Sequence, residues 1–524
     1  MIKTRLAPIV LVLSTLALAL AGCGDGGGGG GSSSASDLAS LAPAGTVVFV
    51  EGTLQPSGQL KSNVEQIAQT VGGIDDLGET IVSELESQAR DDGEPFNFER
   101  EVEPWLGEKV GIFFKRLEDG DLSEPGLAIE TTDTDAAQQF IDEHAATSED
   151  PFKDASYEGV DYKFGGSDEQ AVGLVGDFLV VGEDEQAFED AVDTSKSDSL
   201  NDEDTFNDAI SAASDGSLAD VYVDVGTLIQ QAGDEIDPQV LQVLKSSGIE
   251  PSEATAVASL VPGSDQVEID VSSDLGNQKP PSGDASELLG SLPGDSFAAF
   301  AVSGFGKQLE EAIDNLDTTG IPGQVEPNQL KKGIDELGFD LDKIAGSLED
   351  AGAFASGSGK GNLGGALVLT TGDSSEVATA VKTIGALVRQ SGTPGVSAVT
   401  GKASGFSVRS EDLGPQPLVV ATKADRVAIG YGLRPTLRGL SAGGGSVLAD
   451  TPDYEAAVSA LGDTPIAGFV DGSAALQLAS SLVPSSETGF KKAKRYLKGI
   501  RFVAIGSGSE GDRATAKLIV GLEK

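Results

Sequence analysis

The chain repeats itself at an interval of about 250 residues, and this self-similarity constrains the fold more than any single motif. Leu41-Ala42-Pro43-Ala44-Gly45 leads into the strand-like Thr46-Val47-Val48-Phe49-Val50, and Leu292-Pro293-Gly294-Asp295 leads into Ser296-Phe297-Ala298-Ala299-Phe300, an offset of 250. Residues 127–132 recur at 367–371, each followed by a helical pattern, and residues 175–182 answer to 423–430 at an offset of 248. Leu200 and Phe206 answer to Leu448 and Tyr454 at 248, and Tyr222-Val223-Asp224 to Phe469-Val470-Asp471 at 247. Ordered matches at a nearly constant offset indicate a tandem duplication. Repeat one is expected over 38–275 and repeat two over 285–524. The linker, 276–284, contains Lys279-Pro280-Pro281-Ser282-Gly283, which neither helix nor strand can traverse.

Within each repeat two periodicities alternate. Val172 to Val181, broken at Gly176-Asp177, reads as two short strands, and Ala219 to Val225 as another. Val64, Ile67, Ala68 and Val71 are at helical spacing, as are Ala137, Phe140 and Ile141. Hairpin-like strand pairs separated by helices predict an α+β fold: two tandem, duplicated domains with mainly antiparallel sheets and packed helices.

The N-terminus carries an address. Lys3 and Arg5 precede an almost wholly apolar stretch from Ile9 to Leu20, and Leu20-Ala21-Gly22 precede Cys23, the single cysteine. This pattern reads as an export signal over 1–22 and resembles the lipobox of bacterial lipoproteins. By that resemblance Cys23 is the lipidation site and the mature N-terminus. Residues 23–37 then form a Gly/Ser-rich tether, whose 14 or so flexible residues span on the order of 20 Å. The expected location is the outer face of the bacterial cell membrane, with the membrane engaged through the lipid on Cys23.

Further motifs carry a family resemblance. The segment 41–50 with Leu54-Gln55-Pro56, then Pro104-Trp105-Leu106-Gly107, then Tyr157-Glu158-Gly159-Val160-Asp161-Tyr162 and residues 176–182, resemble the domain of unknown function 3352 family. These are exported bacterial proteins, many from actinobacteria, without an assigned activity. The resemblance covers mainly repeat one, and repeat two is read as having Ile344-Ala345-Gly346 where repeat one has Trp105-Leu106-Gly107. It implies a class and an address and brings no catalytic residue.

Composition narrows the function classes. One Cys excludes an intrachain disulfide, and with His144 the single histidine no Cys/His zinc site can be assembled. Gly506-Ser507-Gly508-Ser509-Glu510-Gly511 matches a dinucleotide fingerprint, but the following segment alternates as a strand, so it is read as a hairpin turn. Gly357-Ser358-Gly359-Lys360-Gly361 lacks the first Gly and the Ser or Thr of a phosphate loop. His144 is read as a solvated residue near a helix C-terminus. Asp133-Thr134-Asp135 begins like a calcium loop, yet Ala137 and Gln138 occupy positions that need an oxygen ligand and a glycine. No cofactor, metal or catalytic constellation emerges, and an enzyme is not expected.

The net charge of −49 is uneven: residues 1–275 hold 56 acids and 12 bases, the remainder 28 and 23. Lys491, Lys492, Lys494, Arg495 and Lys498, with Arg501 beyond, form a candidate contact patch for repeat one or for anionic headgroups. Nucleic acid is excluded as a partner by repulsion of phosphates. The expected function is a noncatalytic binding or scaffolding role at the cell envelope, with an envelope protein or a lipid ligand as partner. The first alternative is a carrier of a lipid or other apolar ligand in a pocket enclosed by the sheets of the two repeats. The second is an enzyme built on Asp or Glu, whose mark would be a buried carboxylate pair in a cleft.

Overall fold

The computed structural model describes residues 37–91, 95–118, 120–147, 152–166, 169–233, 254–276, 283–319, 329–336, 338–359, 361–441, 445–483 and 488–523. The chain divides into two compact units, one reaching Pro281 and taking in Ser509–Ala516, the other from Ser282 to Gly508 with Lys517–Glu523.

The strands of the first unit are β1 (Val48–Thr53), β2 (Leu106–Glu118), β3 (Asp121–Thr131), β4 (Phe152–Tyr157), β5 (Val160–Gly165), β6 (Gln170–Val175), β7 (Phe178–Gly182), β8 (Ala219–Asp224), β9 (Thr255–Pro262) and β10 (Gln266–Asp274). They lie side by side in the order β4-β5-β6-β7-β3-β2-β1-β8-β9-β10, each pair antiparallel. The second unit has β11 (Ser296–Val302), β12 (Leu348–Ser356), β13 (Gly364–Thr371), β14 (Val396–Val399), β15 (Ser404–Val408), β16 (Leu418–Lys423), β17 (Arg426–Tyr431), β18 (Ile466–Asp471), β19 (Ile500–Glu510) and β20 (Arg513–Leu522). Their order is β14-β15-β16-β17-β13-β12-β11-β18-β19-β20, the first order with ten added to every number. The fold is α+β on antiparallel sheets.

Alternation along each strand explains how the sheets are covered. In β7, Leu179 and Val181 join one core while Val180 joins the other, and in β3 Leu127 and Ile129 part from Ala128 in the same way. Helices Leu77–Asp91 and Thr134–Thr147 close the first face with Trp105 and Phe140; helices Glu185–Thr194 and Asp204–Ile210 close the second. With both faces buried, the strands read as nearly continuous apolar runs. In the second unit Pro452–Leu461 and Leu433–Gly439 cover one face and Ser374–Gln390 the other.

Equivalent residues make equivalent contacts. Phe206 meets Tyr222 edge to face at 5.0 Å and 86°, and Tyr454 meets Phe469 at 5.4 Å and 70°. The N–H of Leu200 donates to the Ala42 carbonyl and that of Leu448 to the Leu292 carbonyl, both at 2.9 Å. Asp224 caps the helix Val225–Ala232 by accepting from the Thr227 N–H at 2.8 Å, and Asp471 caps Gly472–Leu482 from the Ala474 N–H at 2.8 Å. The β6–β7 turn puts Gly176 at φ 61°, and the β16–β17 turn puts Ala424 at φ 53°, a left-handed conformation that costs alanine energy.

Several expectations are corrected. Register aligns Leu106 with Leu348, through their partners Thr131 and Thr371, so Ser347, not Ile344, stands at the position of Trp105. Gly506 to Ser509 lie inside β19, and the hairpin turns afterwards, at Gly511-Asp512. Val225 opens a helix instead of ending β8.

Candidate functional site

The equivalence of the two sheets locates a site through a contrast. Pro43, Phe113, Lys115, Gln186, Ala187 and Asp190 line a crevice of about 60 Å³ in the first unit. Their counterparts by strand register and by the 248–250 offset are Pro293, Phe354, Ser356, Arg434, Pro435 and Arg438, and these line a cleft of about 960 Å³. That volume is at the upper end of small-molecule sites, roughly 300–1,000 Å³.

The difference follows from side-chain size and charge. In the first unit the Lys115 ammonium reaches Asp190 at 3.1 Å and Glu124 at 3.9 Å, closing the space with a cation and two acids. Glu183 and Asp184 line the same crevice, and the Glu183 carboxyl is pushed above its usual range by burial and by the charges of Asp184 and Glu124. In the second unit Ser356 and Gly364 stand at the positions of Lys115 and Glu124 and cannot fill it.

Three guanidiniums line the cleft: Arg409 just past β15, and Arg434 and Arg438 on the helix Leu433–Gly439. Arg438 pairs with Asp295, the one carboxylate in the lining. Arg409 Nη1 donates to the Pro415 carbonyl at 3.4 Å, and among the described residues Arg434 has no ion-pair partner. Leu433, Pro435 and Leu437 supply apolar surface, backed by the buried Phe354. The helix lies close on Phe354 because residue 439 is glycine: a Cβ there would come within 2.9 Å of the Phe354 ring. Beneath, Arg426 is 7 % exposed and donates to Ser291 Oγ at 2.9 Å and to the Gly439 carbonyl at 3.4 Å; burial lowers its pKa. Gly357 and Gly361, from the segment that the sequence rejects as a phosphate loop, line the cleft with Asn362 and Leu363, and Asn362 Oδ1 accepts from the N–H groups of Ser358 and Gly359, both at 3.0 Å.

The sequence-derived candidates are scattered. Cys23 lies outside the described residues. Lys491, Lys492, Lys494 and Arg495 are on the helix Thr488–Leu497, with Lys498 immediately after it; the side chain of Lys492 lies outside the described part. Arg501 leaves that group, its Nε donating to Asp453 at 2.6 Å. His144 is in the last turn of its helix but packed, not solvated: its ring centroid is 4.3 Å from that of Phe140 and its Nε2 3.5 Å from Glu101. Burial lowers its pKa, against the opposing charge of Glu101. Asp133 is spent capping the helix, accepting from the Ala136 N–H at 3.0 Å. Among the described residues no group of three or more His, Cys, Asp or Glu could hold a metal ion. The cleft arginines are missed from sequence, because the exchange of Gln186 and Asp190 for Arg434 and Arg438 gains meaning only beside the strands that the structure brings to the same cleft.

Sheets, covering helices and cleft define an α+β protein with a solvent-open site in its second unit. The chain belongs to the family described as protein of unknown function (DUF3352), whose model matches residues 30–520. No curated relative matches it. Two solved structures, crystal forms I and III of TP0453, are similar over 47 % of this chain and 82 % and 83 % of that chain, at 10 % and 13 % identity and TM-scores of 0.23 and 0.24.

Proposed function

We propose that this is a noncatalytic binding protein of the bacterial cell envelope, exported, held at the outer face of the membrane by lipid on Cys23, and carrying a small ligand in the cleft of its second unit. The 960 Å³ cleft is the observation that carries the reading: its lining belongs to one unit, not to a pocket enclosed by two sheets, and it mixes arginines with apolar side chains. The lining holds one carboxylate, Asp295, where an enzyme of the carboxylate-pair kind needs two. An internal duplication accounts for the common strand order, with the first unit as the closed, acidic copy. Among the described residues no helix is long and apolar enough to cross a membrane. The proposed anchor, lipid on Cys23, rests on the sequence pattern Leu20-Ala21-Gly22-Cys23.

The helix Thr488–Leu497 is the proposed contact with anionic headgroups. Lys491, Arg495 and Lys498 are exposed, and Tyr496 and Leu497 offer apolar surface beside them at 49 % and 38 % exposure. Each basic residue near such a surface contributes about 1 kcal/mol. Native mass spectrometry of the protein extracted from its own membrane tests the carrier reading: a retained small molecule is expected, and a bare chain or one retaining only a protein partner counts against it. Cys23→Ser should abolish acyl labelling and release the chain, and unchanged retention would refute the anchor.

A further inference from the structure

We infer that the ligand of the cleft is an amphiphile with a single anionic head, the head held by Arg409, Arg434 and Arg438 and the chain lying on Leu433, Pro435 and Leu437. This rests on the carrier reading above and adds the chemical class. Guanidinium is the side chain best matched to carboxylate or phosphate, offering parallel N–H donors in a planar fork. Three of them line one cleft against a single carboxylate, so the lining is net positive in a protein whose net charge is −49. One carboxylate, Asp295, offsets them, and it engages Arg438 alone.

The first unit shows that the architecture does not require these arginines. At the positions of Arg434 and Arg438 it has Gln186 and Asp190, and its crevice collects Glu124, Glu183 and Asp184 around Lys115. One frame therefore holds a narrow, acidic crevice in one unit and an open, cationic cleft in the other. The apolar side chains run along the same wall as the arginines, since Leu433 and Leu437 share the helix Leu433–Gly439 with Arg434 and Arg438. An ion without a tail would leave this surface facing water, and a neutral amphiphile would leave the guanidiniums unused.

Calorimetric titration of the detergent-free Cys23→Ser chain with three probes tests the inference. Dodecyl phosphate has head and tail, inorganic phosphate the head alone, and dodecyl maltoside a tail with a neutral head. Dodecyl phosphate is expected to bind at least about tenfold more tightly than either, charge-assisted contacts to two or three arginines being more than sufficient for that ratio. Arg434→Gln with Arg438→Asp, the residues of the first unit, should remove that advantage, and Arg434→Lys should retain part of it; melting curves confirm that the variants fold. Equal binding of the maltoside would overturn the anionic head while leaving the carrier reading intact. Equal binding of inorganic phosphate would overturn the tail. Failure of both dodecyl probes to bind, with no small molecule retained by the native protein, would overturn the carrier reading itself.

Discussion

The two units share a strand order and differ in what fills the space around it. On one sheet face the first unit packs Trp105, Phe96, Phe98 and Phe140 into a core of 17 buried residues among those described, and the second has seven there, with Phe406 its one aromatic. On the other face both are densely packed, and the edge-to-face pairs Phe206–Tyr222 and Tyr454–Phe469 are interchangeable. The lesson is that topology and one core suffice to specify the frame. The remaining face and the sheet margin are free to become either packing or a site.

Trp105 is the sharpest place to break the comparison. It is fully buried, 5.4 Å from the Phe140 ring, and its Nε1–H donates to the Glu101 carbonyl at 2.7 Å. Trp105→Ala should lower stability by about 3–5 kcal/mol. Ser347→Ala, at the equivalent position, should cost less than about 1 kcal/mol, since it loses one hydroxyl contact to the Ile344 carbonyl. Denaturant titration of both variants checks the pair, and similar losses would mean that the second unit depends on this face as much as the first.

The turn residues give a smaller and opposite contrast. Ala424→Gly should stabilise by about 0.4–1 kcal/mol, because it relieves a left-handed alanine, while Gly176→Ala should destabilise by about 1–2 kcal/mol. The signs matter more than the sizes, and a shared sign would show that the turns are not equivalent.

The smallest effect is a dependence on pH that arises from two carboxyls of the first unit. Burial raises the pKa of Asp220, which accepts from Ser217 and Ser259 hydroxyls at 2.6 Å each, and that of Glu183. A carboxyl whose folded pKa is raised contributes stability that is fully present below its ordinary value and lost as pH rises through the folded value. Acidification from neutral pH should therefore favour the folded state through these two groups, and Asp220→Asn with Glu183→Gln should flatten that part of the slope. An unaltered slope would assign it to other carboxylates.

The frame was legible in sequence because both units carry the features that define it: the Gly176-Asp177 and Ala424-Asp425 turns, the aromatic pair, and the helix-capping Asp224 and Asp471. The cleft was not legible, because it depends on what is missing. Ser356 and Gly364 draw no attention until register places them opposite Lys115 and Glu124. Arg409, Arg434 and Arg438 likewise read as ordinary surface charges, whereas the cluster of basic residues from Lys491 to Lys498, visible at once, lies on a separate helix.

Hydrogen exchange measured by mass spectrometry, with and without dodecyl phosphate, tests the central claim that only the second of the two units holds a ligand. Protection is expected in peptides covering 395–409 and 433–441, with none in 115–124 or 183–190. Protection in the first-unit peptides, or in neither set, would contradict it.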